Sequence, residues 1–205
     1  MPDDWTNLAN QYGRKSVMSL AIDDATLDRE TQRQIPILFG MIADQLHGHE
    51  RSGLDYGCGA GRWTHALAKT IQGRVTGFDP CTELVAMARG EIDTDYVSGS
   101  PDAFFGECRH NETQFDVVLA AQVMGAPGMD TEATARGLVG VLAPGGLLVV
   151  VDHMVDEPQP QRWWRFRSRD YYESLFSRHG IELREIGRLM QLENEITMLA
   201  GRNAG

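Results

Sequence analysis

Cysteine is scarce in this chain: Cys58, Cys81 and Cys108 stand in unrelated contexts, without the paired spacing of a metal site or a disulfide framework. Reduced thiols in a cytoplasm are the simplest account, and no metal site is expected. Basic charge is also short. Nineteen Lys and Arg against 29 Asp and Glu leave a net charge of −10, which argues against a surface that tracks nucleic-acid phosphates. Long apolar runs are missing too: Leu147 to Val151 is strand-sized and far too short for a bilayer. The opening Met-Pro-Asp-Asp-Trp lacks the basic and apolar regions of a secretory leader. Together these absences point to a soluble cytoplasmic protein. Without repeats, low-complexity tracts or linkers, residues 1–205 read as one domain, with 1–35 as an N-terminal cap and 154–169 as a lid or substrate-side insertion.

What is present centres on Leu54-Asp55-Tyr56-Gly57-Cys58-Gly59-Ala60-Gly61-Arg62. A short strand runs into a glycine turn, and the turn opens a helix over about 61–71. Alternate glycines permit positive φ and the close approach of a ligand, while amides at the start of the helix offer donors to polar ligand atoms. A dinucleotide fingerprint would require a third glycine where Arg62 stands, so a nicotinamide dehydrogenase is disfavoured. Gly73 breaks the helix, and Arg74 to Asp79 forms the second strand, with Asp79 at its end. An acidic residue there can accept bonds from both hydroxyls of a ribose; the competing role is capping the helix that follows from Thr82. Tyr96-Val97-Ser98 gives a third strand with an exit loop to Phe104. Gln114 to Met124 gives a fourth, whose continuous apolar run suits burial on both faces. Asp130 caps a helix through Leu142, then Pro144-Gly145-Gly146 turns into a fifth strand, Leu147 to Val151, with Asp152 and His153 just past it. Ser168 caps a helix over 170–179, and residues 181–186 and 195–200 form a closing antiparallel pair.

This order of motifs resembles the class I SAM-dependent methyltransferases (SAM, S-adenosylmethionine) over residues 35–200. The resemblance implies an α/β fold: a Rossmann-like three-layer sandwich around a seven-stranded, mostly parallel sheet with an antiparallel C-terminal strand. It implies SAM as cofactor, with Asp55, Gly57, Cys58, Gly59 and Gly61 at its methionine end and Asp79 on the ribose. Pro80, Cys81, Ser100 and Pro101 would border the adenine, where Ser100 replaces the family's usual acidic residue and Asp102 competes with it. Tyr12 would touch SAM from the N-terminal cap, and Ala120 would face the methyl group. The Asn/Asp-Pro-Pro-aromatic signature of the family's amine and base modifiers is absent after the fourth strand. In its place stands Gln122, which can orient a substrate or bond a neighbouring loop.

A methyltransferase mainly aligns a nucleophile with the sulfonium methyl, and alignment alone lowers a barrier by roughly 7–11 kcal/mol. A hydroxyl or carbon acceptor also needs a base. His153, the one histidine at a strand's C-terminal end, is the candidate, set against a purely structural place in a loop. An amine acceptor would need none. Between residues 156 and 169 four arginines interleave with three aromatics. Trp163, Trp164, Arg165 and Arg167 are candidate substrate contacts for a small anionic or aromatic acceptor, against a lid with wet arginines. Residues 28–34 read as a capped polar turn, Pro36 as the first residue of the next helix, and His47 and His49 as solvated. Two other functions stay open: a SAM-binding subunit or regulator without transfer, and another SAM-using transferase, such as an aminopropyl- or carboxymethyl-forming relative.

Overall fold

The computed structural model describes residues 4–88, 93–157 and 164–205. Helix α1 (Asp4–Tyr12) runs into a 3-10 turn, Gly13–Val17, and then α2 (Asp24–Ala43). Strands β1 (Ser52–Tyr56), β2 (Arg74–Asp79) and β3 (Thr94–Ser98) alternate with helices α3 (Thr64–Ile71) and α4 (Thr82–Met87). After α5 (Pro101–His110) come β4 (Phe115–Ala121), α6 (Thr131–Gly140), β5 (Leu142–Asp152), α7 (Arg169–Ser177), β6 (Arg184–Gln191) and β7 (Asn194–Arg202). The seven strands form one sheet in the order β3-β2-β1-β4-β5-β7-β6. β1 to β5 pair in parallel, whereas β7 is antiparallel to both β5 and β6.

The central strands alternate between two cores. On β4, Val117, Leu119 and Ala121 join the side chains of α2 and α3, while Val118 and Ala120 join those of α5, α6 and α7. β5 does the same, sending Leu147, Val149 and Val151 one way and Leu148 and Val150 the other. An unbroken apolar sequence is what a strand covered by helices on both faces requires. Asp116 serves structure: its Oδ2 accepts from the Arg51 and Ser52 amides at 2.8 and 2.9 Å, tying β4 to the start of β1.

Several elements differ from the sequence-based expectation: the sixth strand runs Arg184–Gln191 against an expected 181–186, β5 starts at Leu142, ahead of the expected turn, and two helices begin earlier. The polar turn at 28–34 is helix, because α2 begins at Asp24, twelve residues before Pro36, where the Asp23 carboxylate accepts from Thr26 N at 2.7 Å. Pro36 lies inside α2; it is exposed, so the carbonyl its missing N–H leaves free turns to solvent. The loop expected through Phe104 is the start of α5: Ser100 caps it, its hydroxyl accepting from Ala103 N at 3.2 Å, and Pro101 takes the first position. Among the described residues no helix is long and apolar enough to cross a membrane.

Gly73 shows how tightly α3 returns to the sheet. A Cβ there would lie 1.9 Å from the Arg51 carbonyl oxygen, a backbone atom with no rotamer to escape into. Gly73→Ala is therefore expected to cost about 1–3 kcal/mol, and the melting temperature to fall by roughly 2–4 °C for each of these. An unchanged thermal melt would mean that the turn relaxes freely.

Candidate active site

A cavity of about 400 Å³ opens at the carboxyl ends of β1, β2, β4 and β5, where Gly57, Asp79, Gln122 and His153 line it. Ligands bind at this edge in open parallel sheets, because the loops that leave the strands diverge there. Gly59, Pro80 and Trp164 also line it. Seven residues expected at the site therefore meet around one space.

The glycine turn is shaped by its neighbours. Gly57 has φ +75°, and a Cβ on it would sit 2.3 Å from Val123 Cγ2. Its bare amides, expected to await a ligand, are mostly taken: Gly57 N and Cys58 N donate to the Phe78 carbonyl, Gly59 N to Asp79 Oδ2, and Gly61 N to the Cys58 carbonyl. What the turn offers a ligand is close approach more than free donors. Asp79 is buried, accepting from Gly59 N at 2.9 Å and Cys81 N at 2.8 Å. It does not cap α4, whose N-cap position is Cys81. One lone pair on each oxygen is thereby used, and the rest remain for ligand hydroxyls.

Asp55 lies behind the turn, fully buried and bonded by the Thr64 hydroxyl at 2.7 Å. It supports the turn and does not line the cavity. Cys58, Cys81 and Ala120 are likewise buried outside the lining, and Gly61 borders a smaller neighbouring cavity with Arg62 and His65. Ser100 and Pro101 also stay out of the lining, occupied in starting α5. From the N-terminal segment the wall is made by Trp5, Leu8 and residues 16–20, while Tyr12 stands aside with Lys15 over its ring.

His153 is half-buried, edge-on to Phe166 with ring centroids 6.0 Å apart. Burial pulls its pKa below the ordinary value, against a bond to the Glu195 backbone that raises it. Trp164 is pinned by donating Nε1–H to Asp152 Oδ1 at 3.2 Å, and Tyr172 donates to the other oxygen at 2.6 Å. Arg165 is exposed and Arg167 stacks on Tyr171 at 4.6 Å; neither lines the cavity. Trp163 lies outside the described residues. Gln191 and Asn194, at the turn between β6 and β7, complete the wall and were not foreseen, since nothing local marks a hairpin tip as part of a site.

A family model described as "Methyltransferase domain" matches residues 54–146, the stretch that runs from β1 through the glycine turn and Asp79 into β5. Over that stretch the chain is similar to a methyltransferase domain. Carboxy-S-adenosyl-L-methionine synthase of Chromohalobacter salexigens is 30% identical to it over 147 residues, covering 67% of this chain and 53% of that protein. O-methyltransferase cnsE of Penicillium expansum is 28% identical over 110 residues, covering 52% of this chain and 40% of that protein. The chain thus spans about half the length of these relatives or less. Among solved structures, SAM-bound magnesium protoporphyrin IX methyltransferase from Synechocystis PCC 6803 superposes with a TM-score of 0.67 at 13% identity, over 97% of this chain and 96% of that one. The two share the class I methyltransferase fold.

The domain stores acid groups at its site, and their protons couple to folding. Burial raises Asp55 to about 7, against the Thr64 bond, and raises Asp152 to about 6, against Tyr172, His153 N and Trp164. Asp79 is raised for the same reason. The folded chain therefore holds protons that an unfolded chain, with carboxyls near the ordinary value of about 3.9, has released. Between about pH 4 and 7 Asp55 and Asp152 make stability fall as pH rises, and Asp79 acts in the same direction. His153 works in the opposite sense below about 6.5. At the acid end Glu50 takes over. Burial opposes its charge, but the His47 amide and Arg202 prevail and hold it at about 2, so its contribution disappears as pH falls toward that value. Melting temperature is expected to peak near about pH 5 and to decline toward pH 8, with Asp55→Asn flattening the decline. A melting temperature that climbs steadily to pH 8 would contradict this.

Proposed function

We propose that the domain binds SAM and transfers its methyl group to a hydroxyl of a neutral, flat small molecule. One observation carries the reading: Asp79 and His153 face the same cavity from opposite sides of the glycine turn. Asp79, with lone pairs left over from Gly59 and Cys81, suits the ribose hydroxyls, and Pro80 and Leu84 beside it suit the adenine. When bound, SAM supplies an electrophilic methyl: the acceptor oxygen forms the new C–O bond as the C–S bond breaks and sulfur keeps the electron pair.

His153 supplies the base. Its depressed pKa keeps the ring neutral near pH 7, and a neutral imidazole keeps one ring nitrogen able to accept the hydroxyl proton. That proton then passes to solvent. Trp164, Phe166, Met129 and Val123 give the acceptor apolar and aromatic walls. The cavity's described lining includes no lysine or arginine that could pair with a carboxylate or phosphate, which favours an acceptor without such a group. Trp5 and Leu8 shut water out on the side of the N-terminal segment.

The test is transfer from methyl-labelled SAM to a panel of neutral phenols and amines, read by product mass. Methylated phenol with S-adenosylhomocysteine (SAH) released in equal amount is the expected result. Carboxylated SAM formed in place of methylated phenol, once a carboxylic-acid donor is added to the mixture, would place the chain with the synthase relative instead, and SAH binding without any transfer would make it a binding subunit.

A further inference from the structure

Arg62, which stands where a dinucleotide fold would have its third glycine, is a partly buried cation with no ion-pair partner among the described residues. Its Nε donates to Thr31 Oγ1 at 3.1 Å, and Nη2 donates to Gln34 Oε1. Nη1 reaches Gln122 Oε1 at 3.2 Å and Gln191 Oε1 at 3.4 Å, and the guanidinium lies 3.9 Å over the Trp63 ring. Among the described residues no carboxylate forms an ion pair with it; Glu30 acts only from a distance. Burial draws its pKa down to about 9, so the charge persists at neutral pH.

A guanidinium has donors and no acceptor. The atom each glutamine turns toward Arg62 must therefore be its carbonyl oxygen, which leaves the amide nitrogen as the end presented elsewhere. Gln122 and Gln191 both line the cavity, and among the described residues no acceptor bonds either nitrogen. Both are firmly held: Gln191 is 3% exposed, and Gln122 sits at φ +53° with its N–H on the Val151 carbonyl at 2.7 Å. A charge behind an amide polarises it and strengthens the donor in front. The cavity thus receives two N–H donors backed by one positive charge, on the side where β4 and β6 end.

We propose that Gln122 and Gln191 hold the acceptor's oxygen as an oxyanion, with Arg62 as the positioning residue behind them, so that the substrate class is an acidic hydroxyl, a phenol or an enol. This rests on the reading of the cavity as a SAM and hydroxyl-acceptor site. An amine would bring its own N–H groups against these donors and find no partner. A hydroxyl whose O–H bond breaks as His153 takes the proton leaves an oxygen with lone pairs free, which is what two donors accept. The same donors would also suit a carboxylate of the cofactor, so the two sources of oxygen must be separated.

The probe is 4-nitrophenol, whose phenolate absorbs apart from the phenol, titrated with pH on protein saturated with SAH. In the unaltered chain the bound phenol is expected to ionise about one unit below its free value, a roughly tenfold preference for the phenolate. Gln191→Glu keeps the shape and can pair with Arg62, but it replaces a donor with an acceptor. It should abolish or reverse the preference while changing SAH affinity less than about threefold. Gln122→Glu should act alike. An unshifted midpoint, or no saturable binding of the phenol to the SAH complex, overturns the proposal. So does a loss of SAH affinity as large as the loss of phenolate affinity, which would assign the donors to the cofactor. Failure of SAH itself to bind, read by calorimetry beforehand, would instead sink the functional reading on which this one stands.

Discussion

Replacement of Asp79 by alanine is expected to weaken SAM and SAH binding by roughly two to four orders of magnitude. Two hydrogen bonds from ribose hydroxyls to a charged acceptor are lost, each worth about 1.5–3 kcal/mol. The Gly59 and Cys81 amides, which now donate to Asp79, also lose their partner, so the turn that carries the ligand slackens. Asp79→Asn separates these effects. Its single amide oxygen can serve one backbone donor, but its NH₂ faces the other and the charge is gone, so the loss should approach that of alanine. Calorimetric titration of the folded variants is the measurement. A change of less than about threefold would remove Asp79 from the cofactor site and return it to a structural role at the end of β2.

The second large effect belongs to His153. His153→Gln should lower kcat roughly 10²–10⁴-fold with a hydroxyl acceptor, the usual contribution of a general base, while leaving SAH affinity in place. The pH profile carries the sharper information. Because burial holds His153 below its ordinary value, kcat/KM should rise with pH and level off below about 6.5, where the base becomes neutral. The variant should lose that plateau and climb on until the hydroxyl ionises unaided. Near-normal turnover in the variant would mean an amine acceptor, or a histidine that only braces the Glu195 backbone.

The parts of this site that were legible in the sequence are those written within a few residues. Gly57, Gly59 and Asp79 were readable because a strand, a turn and the next helix follow one another directly, and the strand ends converge by topology alone. Capping signals were present but were read otherwise. Ser100-Pro101 is an N-cap followed by the residue best suited to a first helical position, yet its place after the third strand suggested adenine. Asp23 announced α2, while Pro36 drew the expected boundary to itself, although a proline on an exposed face can sit within a helix. Arg62 was illegible for another reason. Its partners Thr31, Gln122 and Gln191 lie 31, 60 and 129 residues away, and no local pattern encodes which distant amides will surround a cation.

The strand order has a consequence for synthesis. β7 is the last strand made, yet it lies inside the sheet, between β5 and β6. Until it is made, β5 offers the ribosome's surroundings an unpaired edge bearing Leu147 to Val151, an apolar run that is buried throughout in the finished fold. The same delay withholds Asn194 from the cavity and leaves the hairpin that holds Gln191 unclosed. A nascent chain short of residue 194 therefore has an incomplete ligand pocket beside an exposed sticky edge, and the step that finishes one conceals the other.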